Sequence, residues 1–135
     1  MKECCTKLQP YAPVFLRLAL GVVFIYHGYG KVFGEGAAMG SAWNSGGMPP
    51  VVQVLVAWGE LLCGAGALLG LLTPLASLGI VIIMAGAIVL VHGKNGFGLM
   101  NHGFEYNFVL ILAALALLAT GPGPWALDNK CCCKK

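Results

Sequence analysis

Residues 51–92 read VVQVLVAWGELLCGAGALLGLLTPLASLGIVIIMAGAIVLVH, and Glu60 is the single charged side chain in the stretch. A helix that crosses a hydrocarbon core of about 30 Å needs about 20 predominantly apolar residues. The stretch is long enough for two such helices, and Thr73-Pro74 falls near its middle, where a helix must stop or restart. Helices joined by so tight a turn run antiparallel, which predicts spans over about 51–72 and 75–91. Pro49-Pro50 precedes the first of them and suits a helix start.

Working outward, about Pro13 to Lys31 forms a further apolar span, opened by proline and closed by His27-Gly28-Tyr29-Gly30-Lys31. It ends in His27, Gly28 and Lys31 without an Ala-x-Ala cleavage site, so it reads as a retained helix and not as a secretory signal. About Glu105 to Thr120 is the fourth span, broken by Gly121-Pro122-Gly123-Pro124. Phe33 to Met48 and Gly93 to Phe104, both glycine-rich and polar, read as connections.

The composition agrees, with 59% apolar and only 10% charged residues and a mean hydropathy of +0.83; a soluble domain carries roughly 25% charged residues. Residues 1–135 therefore read as a single membrane domain. The expected fold class is all-α, a four-transmembrane-helix antiparallel bundle that is multi-pass and integral to the cell (inner) membrane, with the lipid bilayer as its surroundings. The net charge of +3 is scattered, without the basic, aromatic-interleaved stripe of a nucleic-acid binder, so no nucleic-acid partner is expected. Four spans put both termini and the Thr73-Pro74 turn on one side, with Lys2, Lys7, Arg17, Lys130, Lys134 and Lys135. The other side holds only Lys31 and Lys94, so the positive-inside bias predicts both termini in the cytoplasm. Small residues such as Gly59, Gly64, Gly66, Gly70, Gly79 and Gly86 allow close packing, either within one subunit or between copies in a homo-oligomer.

Glu60 lies about ten positions into its span, roughly 15 Å from the surface. A carboxylate at that depth must be protonated, paired or facing a wet cavity. Arg17 is the expected partner, and the pair reads either as a register-fixing salt bridge or as a proton or quinone site. A second constellation gathers at the opposite end: His27 and Lys31 share a helix face, His92 ends the third span, and His102, Glu105 and Tyr106 flank the start of the fourth. Imidazole and phenol groups suit the two carbonyls of a quinone, because they donate and accept hydrogen bonds near neutral pH; they also collect at membrane interfaces for no chemical purpose. A haem held by His27 and His92, or a metal held by the histidines with Glu105, has no supporting spacing, and no metal site is expected. Cys4, Cys5, Cys131, Cys132 and Cys133 flank the spans on the cytoplasmic side, where lipid attachment, soft-metal binding and simple interfacial bulk all remain open readings. Cys63, one turn from Glu60, reads as a packing residue.

Arg17-xxx-Gly21, His27-Gly28-xx-Lys31, Gly59-Glu60-xxx-Gly64, Gly70-Leu71-Leu72-Thr73, Val91-His92, Glu105-Tyr106 and Gly121-Pro122-Gly123-xxx-Leu127-Asp128 together resemble the DoxX/DoxD family of small four-helix membrane proteins. The resemblance runs from Val14 to Asp128 and departs from the family pattern at Pro74 and in the cysteine-rich ends. It implies association with membrane oxidoreductase systems that reduce quinone or handle thiol and oxidative stress, and it assigns no catalytic residue. The expected function is thus an accessory membrane subunit of an oxidoreductase complex, more a non-catalytic subunit than a self-sufficient enzyme. It would offer a quinone or proton-accessible pocket while a redox partner supplies electrons. No covalently bound cofactor is expected, since no nucleotide, flavin or iron–sulfur motif is present. The alternative is a structural subunit that stabilises a larger membrane assembly by helix packing alone.

Overall fold

The computed structural model describes residues 8–34 and 48–132, the last two by backbone alone. Most of the Phe33–Met48 connection, and Cys4, Cys5 and Cys133, lie outside the described residues, as do the side chains of Cys131 and Cys132. The chain runs through α1 (Ala12–Phe33), α2 (Pro50–Leu69), α3 (Thr73–Ala87), α4 (Glu105–Thr120) and the short α5 (Leu127–Cys132). A π-helical turn, Ile88–His92, continues α3, and no strand occurs among the described residues.

Three helical stretches, Gln9–Phe33, Pro50–Leu69 and Thr73–Asn95, are long and apolar enough to cross a membrane. Glu105–Thr120 is apolar but has 16 residues, about 24 Å of helix, which falls short of a full core. The helices bury their polar residues together with small and some large apolar ones, and leave many large apolar side chains facing outward. In α1 the buried set is Pro13, Arg17, Leu20, Gly21, Phe24, Gly28 and Val32, while Phe15, Leu18, Val22 and Tyr26 are exposed. The spacing of three and four is that of an amphipathic helix with the usual polarity absent, as expected where the solvent is lipid. The central core consists of Leu20, Phe24, Ala67, Ile80, Met84, Leu110, Ala114 and Leu117.

Helices α1 and α2 touch backbone to backbone. A Cβ added at Gly28 would lie 2.5 Å from the Leu61 amide nitrogen, one at Gly21 would lie 2.6 Å from Leu68 Cβ, and one at Gly64 would lie 2.7 Å from the Ile25 nitrogen. These three approaches share one antiparallel register, in which each step up α1 is a step down α2. Extended along both helices, the register sets Lys31 level with Trp58, Tyr29 level with Glu60, and Arg17 beyond the end of α2.

The turn between α2 and α3 differs from the sequence expectation by a few residues. Helix α2 stops at Leu69, because Gly70 adopts φ +64° and the Gly70 and Leu71 amides fold back onto the carbonyls of Ala67 and Gly66. Glycine takes this left-handed conformation without the Cβ clash that penalises other residues. Leu72 follows with φ +49°, and α3 begins at Thr73 with Pro74 in its first turn.

Candidate functional site

Glu60 is only 4% exposed, and its Oε2 accepts from Lys31 Nζ at 2.5 Å. The register explains this pairing. Lys31 sits half a turn above Glu60 on the facing helix, and its flexible four-carbon stem can descend to the carboxylate. Arg17 sits about 18 Å away along the axis, twelve residues at 1.5 Å each. The expected Arg17–Glu60 pair is therefore overturned: depth alone suggested it, and the register of the helix packing forbids it.

Beside the Lys31–Glu60 pair lies a cavity of about 640 Å³, bounded by α1, α2, α3, the start of α4 and the loop before it. His27, Lys31, Glu60, His92, His102 and Tyr106 all line it, so six of the polar residues singled out in the sequence share one space. His27 is exposed at the rim, its ring edge-on to Tyr26. His92 ends the π-helical turn, and its Nδ1 bonds to the His102 carbonyl at 2.9 Å. With Nδ1–H donating to that carbonyl, the neutral ring keeps Nε2 as its acceptor. His102 holds its carbonyl in place from a left-handed conformation, φ +58°, and the Asn95 amide donates to the same oxygen.

Glu105 does not join them. Its Oε2 accepts from the Leu99 amide at 3.0 Å, so it braces the loop and is not among the cavity-lining residues. Nor do three or more His, Cys, Asp or Glu side chains converge as a metal-ligand set among the described residues. One lining residue was missed in the sequence: Asn107, 6% exposed. Its amide donates to the Met84 sulfur, at 3.3 Å, a weak acceptor. The available signal was a lone amide in the otherwise apolar run of α4, which is fainter than a charge.

Arg17 belongs to a second cluster at the opposite end of the bundle. Its Nε donates to the Ala67 carbonyl at 3.1 Å and its Nη2 to Leu68 at 2.9 Å, while Nη1 reaches the carbonyls of both Pro122 and Pro124 at 3.1 Å. The guanidinium thus adds a donor to the last carbonyls of α2, where the helix dipole favours a cation, and ties down the Gly121–Pro124 turn. Asp128 completes the arrangement: its carboxylate accepts from the amides of Leu72 at 2.7 Å and Thr73 at 2.9 Å, and its own amide donates to Gly70. A tail residue thereby caps the start of α3 and secures the left-handed Leu72.

Partial burial pushes the Asp128 carboxyl up, but the Thr73 and Leu72 hydrogen bonds and the nearby Arg17 charge outweigh it and hold the group below its ordinary 3.8. A carboxylate lowered in this way stabilises the docked tail fully above about pH 4 and loses that contribution as pH falls through the lowered value. Proteolysis beyond Thr120 is therefore expected to accelerate only toward acid. Asp128→Asn should already be cleaved faster at neutral pH, and a wild-type cleavage rate that rises between about pH 5 and 8, or an Asp128→Asn variant cleaved no faster than wild type there, would contradict the assignment.

Helices that face large apolar side chains outward along their length and keep ionic groups inside are made for lipid on the outside, so this is a multi-pass integral membrane protein. Within that class it belongs to the DoxX family, which residues 12–93 match. The match takes in Arg17, Lys31, Glu60 and His92 and stops short of α4. The chain is 32% identical over 133 residues to an uncharacterized membrane protein of Mycobacterium tuberculosis, covering 90% of this chain and 82% of the relative. It is 31% identical over 116 residues to a Bacillus subtilis protein named "Putative oxidoreductase CatD", covering 85% and 83%. An uncharacterized protein of Haemophilus influenzae is 33% identical, covering 92% and 93%. No solved structure matches the chain.

Proposed function

We propose that this chain is the membrane subunit of an oxidoreductase complex and that the cavity beside Glu60 receives the head of a quinone. The observation that carries the reading is the Lys31–Glu60 pair, its carboxylate buried in an apolar bundle and its lysine half-buried, facing 640 Å³ of space and not packed side chains. A register-fixing salt bridge does not need that space, whereas a ligand does. The Lys31 ammonium and the Asn107 amide are donors for quinone carbonyls, and Glu60 is an acceptor for a quinol hydroxyl. The histidines at the rim can pass protons to and from water. Electrons would arrive from a redox partner. The name of the Bacillus subtilis relative is in keeping with an oxidoreductase setting.

In this reading α4 is the fourth span, with the loop before it and the Gly121–Pro124 turn after it making up the remaining thickness, and the bilayer thinning locally around it. The lysine distribution then places both termini and the Arg17–Asp128 cluster in the cytoplasm, and the cavity mouth on the far side. A purely structural subunit is the competing reading, and it requires a bundle interior without a ligand.

The test is quinone retention. Protein purified in mild detergent is desalted with an isoprenoid naphthoquinone present, and the bound fraction is extracted. Wild type is expected to retain the quinone, and Glu60→Gln to bind the reduced form about tenfold more weakly, about 1.4 kcal/mol for one charge-assisted hydrogen bond. No retention by wild type, or equal retention of quinol by Glu60→Gln, would favour the structural reading.

A further inference from the structure

The cavity has a side wall, and that wall has a gap. Helices α2 and α3 stay in close contact from their shared turn to the middle of α2, and the contact is lost beyond it. Near the turn, a Cβ at Gly66 would lie 3.2 Å from Ala76 Cβ, and one at Gly79 would lie 2.5 Å from Cys63 Sγ. Level with the middle of α2, a Cβ at Gly59 would still lie 3.1 Å from Ile83 Cδ1. One turn further on, Gly86 continues the same stripe of α3, and a Cβ there would meet no atom within 4 Å among the described residues. In this register Gly86 is level with Val56, one turn on the mouth side of Glu60.

The flanks of the gap are apolar. Val52, Leu55 and Val56 of α2, Ile82 of α3 and Leu90 of the π-helical turn that continues it line the cavity, yet Leu55, Ile82 and Leu90 are also more than 60% exposed on the outer surface. Side chains that line an interior space and face lipid at once are the jambs of a lateral opening. A water-soluble ligand would need polar groups along such a path, and among the described residues the polar groups lie at its inner end, at Lys31, Glu60 and Asn107.

We propose that the α2–α3 gap at Gly86 is a side portal through which a membrane-dissolved quinone presents its ring to Lys31 and Glu60 while its isoprenoid tail stays between α2 and α3. The inference rests on the quinone reading above and adds the route and the seat of the tail. The tail gains apolar contact along Val52, Leu55 and Leu90 without leaving the bilayer, so only the ring is desolvated.

Two measurements test it, both on the full chain in lipid nanodiscs. In the first, a tailed quinone and a tail-less quinone with the same ring are compared. Gly86→Trp, which fills the gap, is expected to weaken the tailed ligand at least tenfold and to leave the tail-less one, admitted at the His92 mouth, within twofold. Val89→Trp, a bulky change on the exposed face of the same turn, should alter neither. The second measurement needs no substitution: a tailed quinone with a photoreactive group near its ring is crosslinked to wild type and mapped by peptide mass. Labels on 52–56 and 82–90 are expected. Binding with labels confined to α1 or α4, or equal weakening of both quinones by Gly86→Trp, would overturn the portal while leaving the quinone pocket standing. Failure of wild type to bind either quinone would overturn both.

Discussion

Arg17→Met is expected to lower the stability of the bundle by about 4 kcal/mol and to free the segment beyond Thr120 for proteolysis. The methionine fills similar volume but donates nothing, so the carbonyls of Ala67, Leu68, Pro122 and Pro124 lose their shared partner. Hydrogen bonds to a charged group contribute about 1.5–3 kcal/mol each. The four share one side chain and are not additive, so the estimate stays near the value of two. Arg17→Lys should recover only part of the loss, because an ammonium is a point donor and cannot span two carbonyls on α2 and two on the tail at once. The comparison is made by thermal unfolding in detergent together with limited proteolysis. A variant as stable as wild type, with its tail still protected, would assign the docking to other contacts.

Gly28→Ala and Gly64→Ala are expected to cost about 3 kcal/mol each, the upper part of the range for overpacking. In both, the new methyl group would strike backbone: the Leu61 nitrogen at 2.5 Å, and the Ile25 nitrogen at 2.7 Å. A side chain can rotate away from such a clash, but a helix backbone has to move as a body. The consequence reaches function, since prising α1 from α2 separates Lys31 from Glu60 and should weaken quinol binding along with stability. Gly30→Ala is the matched control, because a Cβ there meets nothing within 4 Å and helix propensity favours alanine by up to about 1 kcal/mol in water. Equal melting temperatures for Gly28→Ala and Gly30→Ala would contradict the close approach of the two helices.

The all-helical architecture and its membrane setting were legible in the linear order of residues. The runs 13–31, 51–72, 75–91 and 105–120 are too apolar for water, and proline and glycine punctuate them. A lone charge in such a run also announces itself, because a charge in hydrocarbon has to be explained: Glu60 was marked on that ground, Arg17 as its expected partner, and Lys31 for sharing a helix face with His27. Asn107 was not, since an uncharged amide costs less and stands out less.

What the order of residues could not supply is who meets whom. Arg17 and Lys31 lie on the same helix, fourteen residues apart, and either could have answered Glu60 by composition. The choice belongs to the Gly21, Gly28 and Gly64 contacts, which slide α1 along α2 until Lys31 is the cation within reach. Glu105 was grouped with the cavity by its neighbours in sequence and was drawn instead to the Leu99 amide, which the folded loop brings to it. The gap at Gly86 is likewise invisible in sequence, where it looks like any other packing glycine. Hydropathy is a property of each residue in turn, so sequence alone determined that these helices live in lipid. Pairing depends on the axial offset and rotation of rigid helices, which are set by short-range contacts between residues far apart in the chain, and only the tertiary structure decided them.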